Sequence, residues 1–370
     1  MCLSKEKLGC RMTGSADRAL PGSDSAGKRP TLSRRLVRSA RYATPLTVAV
    51  LLFVASCASP PSLREQLEGV PAKRLSYYDF DPDTPVVDRI GPTPADLLDL
   101  YSEVDERELS SVELSAAQRE ELDDVLSRLP IRHQQVLADR LIGIYCIDNF
   151  AGSGMADWIL GPGDEIYSVL VLHPRVFDMS AEELLTYREN TAFALSDSDL
   201  TVTVRLSPEV SALAYIVLHE ATHIVDYAER HTPFVEHAML ELLGPTARDT
   251  PFTDEAWEDY STASESADFS HRDDLRFYGL GGDPTLGPTG VLELYRELAE
   301  RPFASLYASL SWAEDFAEFV TFHYLVHGLG AEYVIEVEDA GTTVFAYEPM
   351  SSPQVLRRRA LIEPELLEAP

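Results

Sequence analysis

Lysine is almost missing from most of this 370-residue chain: beyond Cys57 the only one is Lys73. That stretch carries 21 basic residues against 58 acidic ones, a formal charge of −37. Such a surface repels phosphate backbones and anionic lipid headgroups, which excludes nucleic acid as a partner and a basic membrane-binding face. Cysteine is scarce as well. Of Cys2, Cys10, Cys57 and Cys146, the first three lie in or next to the atypical N-terminus, so no intrachain disulfide is expected. Cys146 sits in an apolar, strand-like run over 141–147 and reads as a buried, inert thiol. Long apolar runs are missing too. The run 45–54 is too short for a comfortable membrane span, and no internal repeat is present.

What the N-terminus does have is a distinct layout. Residues 1–56 hold ten Lys or Arg against three acids. Arg34, Arg35, Arg38 and Arg41 lead into the apolar run, which ends Val54-Ala55-Ser56-Cys57. Basic flank, apolar run, small residues and Cys, in that order, resemble a bacterial lipoprotein signal peptide over 1–56. The resemblance implies lipidation of Cys57, with the lipid anchor as the sole contact with the membrane. Ala58 after that Cys points, by resemblance to enterobacterial sorting, to the outer membrane of the cell envelope. The polar stretch before Arg34 is long for a signal peptide, and Met12 is a candidate start. Residues 57–94 are rich in proline and read as a tether.

The remainder, 95–370, reads as one α+β domain. Helical patterns cover about 95–109, 115–128 and 131–140, with Pro94 and Ser115 as start signals. Strand-like runs follow at 141–147, 166–172 and 200–206, with a short helix near 180–189. Glycines at 152, 154, 161 and 163 read as loop signals around the first two strands. A buried helix spans about 209–230, with Ser207 and Pro208 at its start. Residues 231–302 are a mixed insertion with one clear helix near 291–300. An amphipathic helix covers about 311–327, capped by Ser311. Strands at 333–338 and 343–347 and a short helix within 352–362 close the chain.

The chemistry concentrates on two of these helices. His219-Glu220-Ala221-Thr222-His223 places two imidazoles at i and i+4, on one helix face one turn apart. Two such imidazoles suit one Zn²⁺, and the Glu beside the first reaches a metal-activated water as general base. The motif lies mid-helix behind Tyr215-Ile216-Val217-Leu218, where two His and a Glu are costly to bury without a metal or partner. A third ligand is required. The extended motif with Gly at 226 and His at 229 is excluded, because Asp226 and Glu229 stand there. The best candidate is Glu314, in Trp312-Ala313-Glu314-Asp315-Phe316-Ala317-Glu318, with Glu318 one turn on. Glu236, Glu241, Glu258 and Glu265 are fallback ligands. Asp226 either supports a ligand imidazole or faces solvent. His323 and His327 repeat the i, i+4 spacing without a following Glu and read as structural; His231, His237 and His271 read as loop residues.

The HExxH pair together with Tyr307-Ala308-Ser309-Leu310-Ser311-Trp312-Ala313-Glu314-Asp315-Phe316-Ala317-Glu318 resembles the gluzincin metallopeptidases. The closest resemblance is to the catalytic domain of anthrax lethal factor and related bacterial zinc peptidases. The resemblance implies a zincin-like fold: a small mixed sheet packed on the active-site helix, and a mainly helical C-terminal lobe. It implies that Glu314 binds zinc, that Glu318 supports the site, and that Tyr307 hydrogen-bonds the oxyanion or the departing amine. The expected activity is hydrolysis of a peptide or protein held extended along a sheet edge, at 166–172 or 200–206. Two other readings stay open: a non-catalytic zinc-binding envelope lipoprotein, and a zinc hydrolase acting on a non-peptide bond. Keeping both Glu220 and Tyr307 argues against the first, since ligands alone suffice for binding.

Overall fold

A computed structural model describes residues 69–163, 165–196, 198–234 and 250–368, all within one contact unit. Residues 1–56 and Cys57, with their expected signal and lipidation, lie outside the described residues, as do Glu236, His237 and Glu241. The fold is mixed α and β with small sheets. No helix among the described residues is long and apolar enough to cross a membrane.

The N-terminal half starts with α1 (Ala95–Asp105), β1 (Ser110–Val112), α2 (Ala116–Ser127) and α3 (Ile131–Arg140). Pro94 sets the start of α1, and Ser115 caps α2 in a reciprocal capping box with Gln118. Strands β2 (Leu141–Asp148), β3 (Gly154–Leu160) and β4 (Ile166–Leu172) follow. They form a four-stranded mixed sheet in the order β1-β2-β4-β3, with β2 and β4 parallel and the other pairs antiparallel. Cys146 is buried on β2, and burial pushes its thiol up to about 11, as an inert side chain requires.

Strand β3 was not legible in the sequence, because its bounding glycines read as loops. Its presence corrects the expected substrate edge. Strand β4 is interior, flanked by β2 and β3. The other expected edge, β5 (Leu200–Leu206), belongs to a separate antiparallel sheet with β8 (Tyr333–Asp339) and β9 (Thr342–Tyr347). Its outer edge is capped by side chains of α4 (Ala181–Thr191). Asn190 accepts from Val202 N–H at 3.1 Å and donates to Val202 C=O at 2.6 Å, and Thr186 accepts from Val204 N–H at 2.9 Å. A second strand cannot add where those groups are already paired.

Residues 69–94 also differ from the tether expectation. Ala72 and Ile90 are buried. Arg89 donates to the carbonyls of Thr84, Leu137, Leu141 and Ala138, and isolated bridges pair Arg74 with Leu160 and Ile90 with Ile144. Proline here fixes 3-10 turns that lie on the sheet.

Helix α5 (Ala212–Glu229) is buried along most of its length. It begins at Ser211, whose hydroxyl accepts from Ala214 N–H at 3.1 Å, rather than at Ser207. The later part contains α6 (Pro251–Ala256), a hairpin of β6 (Trp257–Asp259) and β7 (Thr262–Ala263), α7 (Pro288–Leu298), α8 (Trp312–His323) and α9 (Pro353–Leu356). The described parts of the 231–302 insertion brace α8: Trp312 N–H donates to Tyr260 C=O at 3.0 Å, and Trp257 Nε1 donates to Asp315 at 2.8 Å.

Asp315 is fully buried beside Arg358, with both guanidinium nitrogens 2.7–2.8 Å from its two oxygens. Arg358 comes from the C-terminal 3-10 turn and also stacks on Phe252. Removing one partner of such a pair strands a buried charge. Arg358→Met is therefore expected to destabilise the fold by about 3–5 kcal/mol in urea unfolding, and the double variant with Asp315→Leu to recover much of that loss.

Candidate metal centre

Helix α5 carries His219 and His223 inward, and α8 brings Glu314 to them. Glu314 Oε2 lies 3.3 Å from His219 Nε2 and 3.4 Å from His223 Nε2. Among the described residues this is the one His/Cys/Asp/Glu group whose ligand atoms converge, all within 4.8 Å. The imidazoles are nearly sealed, at 5% and 8% side-chain exposure, whereas Glu314 is 23% exposed, so the cluster opens on the Glu314 side. Of the fallback ligands among the described residues, Glu258 and Glu265 are exposed and outside the cluster.

Local sequence explains the convergence. Ser311 caps α8 and accepts from Glu314 N–H at 3.3 Å, which fixes Glu314 in the first turn. Glu318, one turn on, points the same way and is fully buried. Its Oε1 lies 2.9 Å from His219 Nδ1, so Nε2 of that ring is left to face Glu314. The electrostatics favour positive charge at this point. Burial opposes a charged His219, yet Glu314 and Glu318 outweigh it and push the imidazole up to about 10. Burial likewise opposes an ionised Glu314, and the two imidazoles hold it well below the ordinary carboxylate range. Two inward imidazole nitrogens, a carboxylate oxygen buried without a well-aligned hydrogen bond, and an excess of negative charge suit a divalent cation. This group could bind a metal.

Glu220 lies beside the cluster and is buried. Its Oε2 accepts from Ala156 N–H of β3 at 2.7 Å, which ties the carboxylate to the sheet edge. The approach is close because residue 154 is glycine. A Cβ there would lie 2.4 Å from Ile216 Cγ2 and 3.0 Å from Glu220 Cγ. Tyr307 flanks His219 from the turn before α8, with ring centroids 6.3 Å apart. Burial and the Glu314 charge raise its phenol well above the usual value, so it stays a neutral donor.

Sequence reasoning missed Arg188. This fully buried residue of α4 grips Glu318 with both guanidinium nitrogens, at 3.1 and 2.8 Å. It lies 4.5 Å from the Tyr307 ring centroid and donates to Tyr215 OH at 2.7 Å. Burial would raise the Glu318 pKa, but Arg188 and His219 lower it. Ser305 completes the carboxylate's shell at 2.5 Å, and Tyr215 donates to it as well. The signal available in the sequence was slight: an Arg on an inward position of a short helix.

Asp226 corrects an expectation. It neither supports an imidazole nor faces solvent. It is buried, and both its oxygens are taken by Thr232, at 2.6 Å from the backbone N–H and 2.6 Å from the hydroxyl. It closes the turn after α5, where Arg230 adopts a left-handed conformation. His223 Nδ1 has no hydrogen-bond partner among the described residues. His323 and His327 stand apart from the cluster; burial lowers His323 to about 4, and His327 meets Met350 C=O at 3.1 Å.

No family model, curated protein or solved structure matches the chain.

Glu318→Gln is expected to weaken metal affinity by about 10–100-fold, read by competition with a chromogenic chelator. Gly154→Ala is expected to displace Glu220 or the strand and to cost about 1–3 kcal/mol of stability, read by denaturant unfolding.

Proposed function

We propose that this chain is a zinc-dependent peptidase of zincin-like architecture, acting as an envelope lipoprotein through Cys57. The observation that carries the reading is the meeting of His219, His223 and Glu314 beside a carboxylate, Glu220, tethered to the edge strand β3. The donor set, two imidazoles and one carboxylate from two helices, is one that zinc takes in catalytic sites. Zinc held there would supply Lewis-acid activation of a water and of a carbonyl.

The chain's own residues supply the remaining steps. Glu220 accepts a proton from the attacking water and returns it to the leaving nitrogen. Its bond to Ala156 N–H holds the carboxylate beside the cluster. Tyr307 donates its phenolic hydrogen bond to the developing oxyanion or the departing amine, and Arg188 behind the ring holds that phenol in place. Glu318 fixes the His219 tautomer and ring orientation. A peptide would lie along the outer edge of β3 beside the base and reach Ala156 N–H by displacing Glu220 from it. Other carbonyl-like bonds are compatible with the metal chemistry, but an extended strand edge favours an extended chain as substrate.

Purified protein should hold one zinc per chain. Glu220→Gln should keep the metal and lose cleavage of a peptide library by about 100-fold or more. Glu314→Ala should lose the metal. Zinc retained with no Glu220-dependent cleavage of any peptide would sink the peptidase reading in favour of a binding protein. Undiminished zinc in Glu314→Ala would move the third ligand elsewhere.

A further inference from the structure

Strand β3 is an edge strand, yet its outer edge is covered along one half. Arg74 bridges to Leu160 in parallel register, in the position a neighbouring strand would take. Lys73 ion-pairs with Asp157, donates to Trp158 C=O at 3.2 Å, and lies 4.3 Å from the Trp158 ring centroid. Tyr101 OH holds the other oxygen of Asp157 at 2.6 Å. The turn carrying these residues is anchored: Pro71 begins it, Ala72 is buried, and Tyr78 OH donates to Ala72 C=O at 2.7 Å. At Gly154 and Ala156 neither Lys73 nor Arg74 covers the edge, and the one side-chain bond there is that of Glu220 to Ala156 N–H.

We propose that Pro71–Lys73 and Arg74 form a strap that closes one end of the substrate groove, restricting cleavage to bonds close to the N-terminus of a peptide. The proposal rests on the peptidase reading of the metal centre. An added strand pairs more stably antiparallel than parallel, as β4 already does on the other side of β3. An antiparallel peptide runs N-terminus first from the Leu160 end towards Gly154. The strap then stands in the path of residues preceding the cleaved bond. From Ala156 to Trp158 the edge offers about two residues, ~7 Å, before Lys73 takes the carbonyl. Substrates are therefore peptides with a free, short N-terminal side, and the strap sets no limit on the C-terminal side.

The test uses the full chain with zinc and a synthetic peptide library bearing free N-termini, wild type against Glu220→Gln, with products read by mass spectrometry. The best-cleaved peptide is then lengthened by about six residues at either end. The expected result is a fall in kcat/KM of about tenfold or more on N-terminal extension, with C-terminal extension neutral. Lys73→Glu, which repels Asp157 and lifts the strap, should restore cleavage of the N-extended peptide; circular dichroism and zinc content verify that it folds. Equal cleavage of both extended peptides overturns the strap and leaves the peptidase reading standing. Loss on C-terminal extension alone overturns the antiparallel assignment. A folded Lys73→Glu that still rejects the extended peptide overturns the role of Lys73. With no Glu220-dependent cleavage in the library, the reading of function fails and the strap with it.

Discussion

Burying a lone carboxylate costs several kcal/mol, and Glu318 is buried completely, so everything around it answers that charge. Arg188 from α4 supplies the counter-charge, Tyr215 from α5 supplies a donor with His219 Nδ1 of the same helix 2.9 Å away, and Ser305 reaches in from the turn before α8. The carboxylate thus joins three helices at one point. That junction sets the distance between α5 and α8, and so the meeting of Glu314 with the two imidazoles. The Arg358–Asp315 pair also anchors α8. Two buried ion pairs three residues apart hold one helix, and Glu314 lies in the turn they fix.

The sheet edge answers to the same constraint. Strand β3 comes close enough for Ala156 to reach Glu220 because Gly154 has no side chain to strike Ile216. Glu220, the His219–His223–Glu314 cluster and the strand edge are therefore positioned by packing and hydrogen bonding among the protein's own groups. The negative field on His219 comes from Glu314 and Glu318 together, which gives a cation a reason to bind beyond geometry.

Much of the site was legible because its signals are local. The i, i+4 spacing of His219 and His223, the cap at Ser311, and the Glu314–Glu318 repeat all lie within single helices. Cys146 and the buried strands at 141–147 and 166–172 were legible from apolar runs. What escaped depends on contacts distant in sequence. Arg188 acquires meaning only from Glu318, 130 residues away. Strand β3 hid behind its glycines, which serve close approach at Gly154 rather than a loop. Asp226 took neither expected role, because Thr232 claims both its oxygens. The proline-rich segment 69–94 read as a tether because its contacts are side chains reaching carbonyls far along the chain, as Arg89 does.

The wide separation of Arg188, His219 and Glu318 along the chain also bears on how the protein reaches its native state. A chain that has formed α5 alone holds two imidazoles and nothing to complete them. The cluster comes into being only when long intervening segments have closed, and long-range closure is the slow part of folding. On the proposed reading, a divalent ion would favour the finished molecule over every partly folded one, so ion uptake and completion of the core would coincide and immature chains would lack the activity.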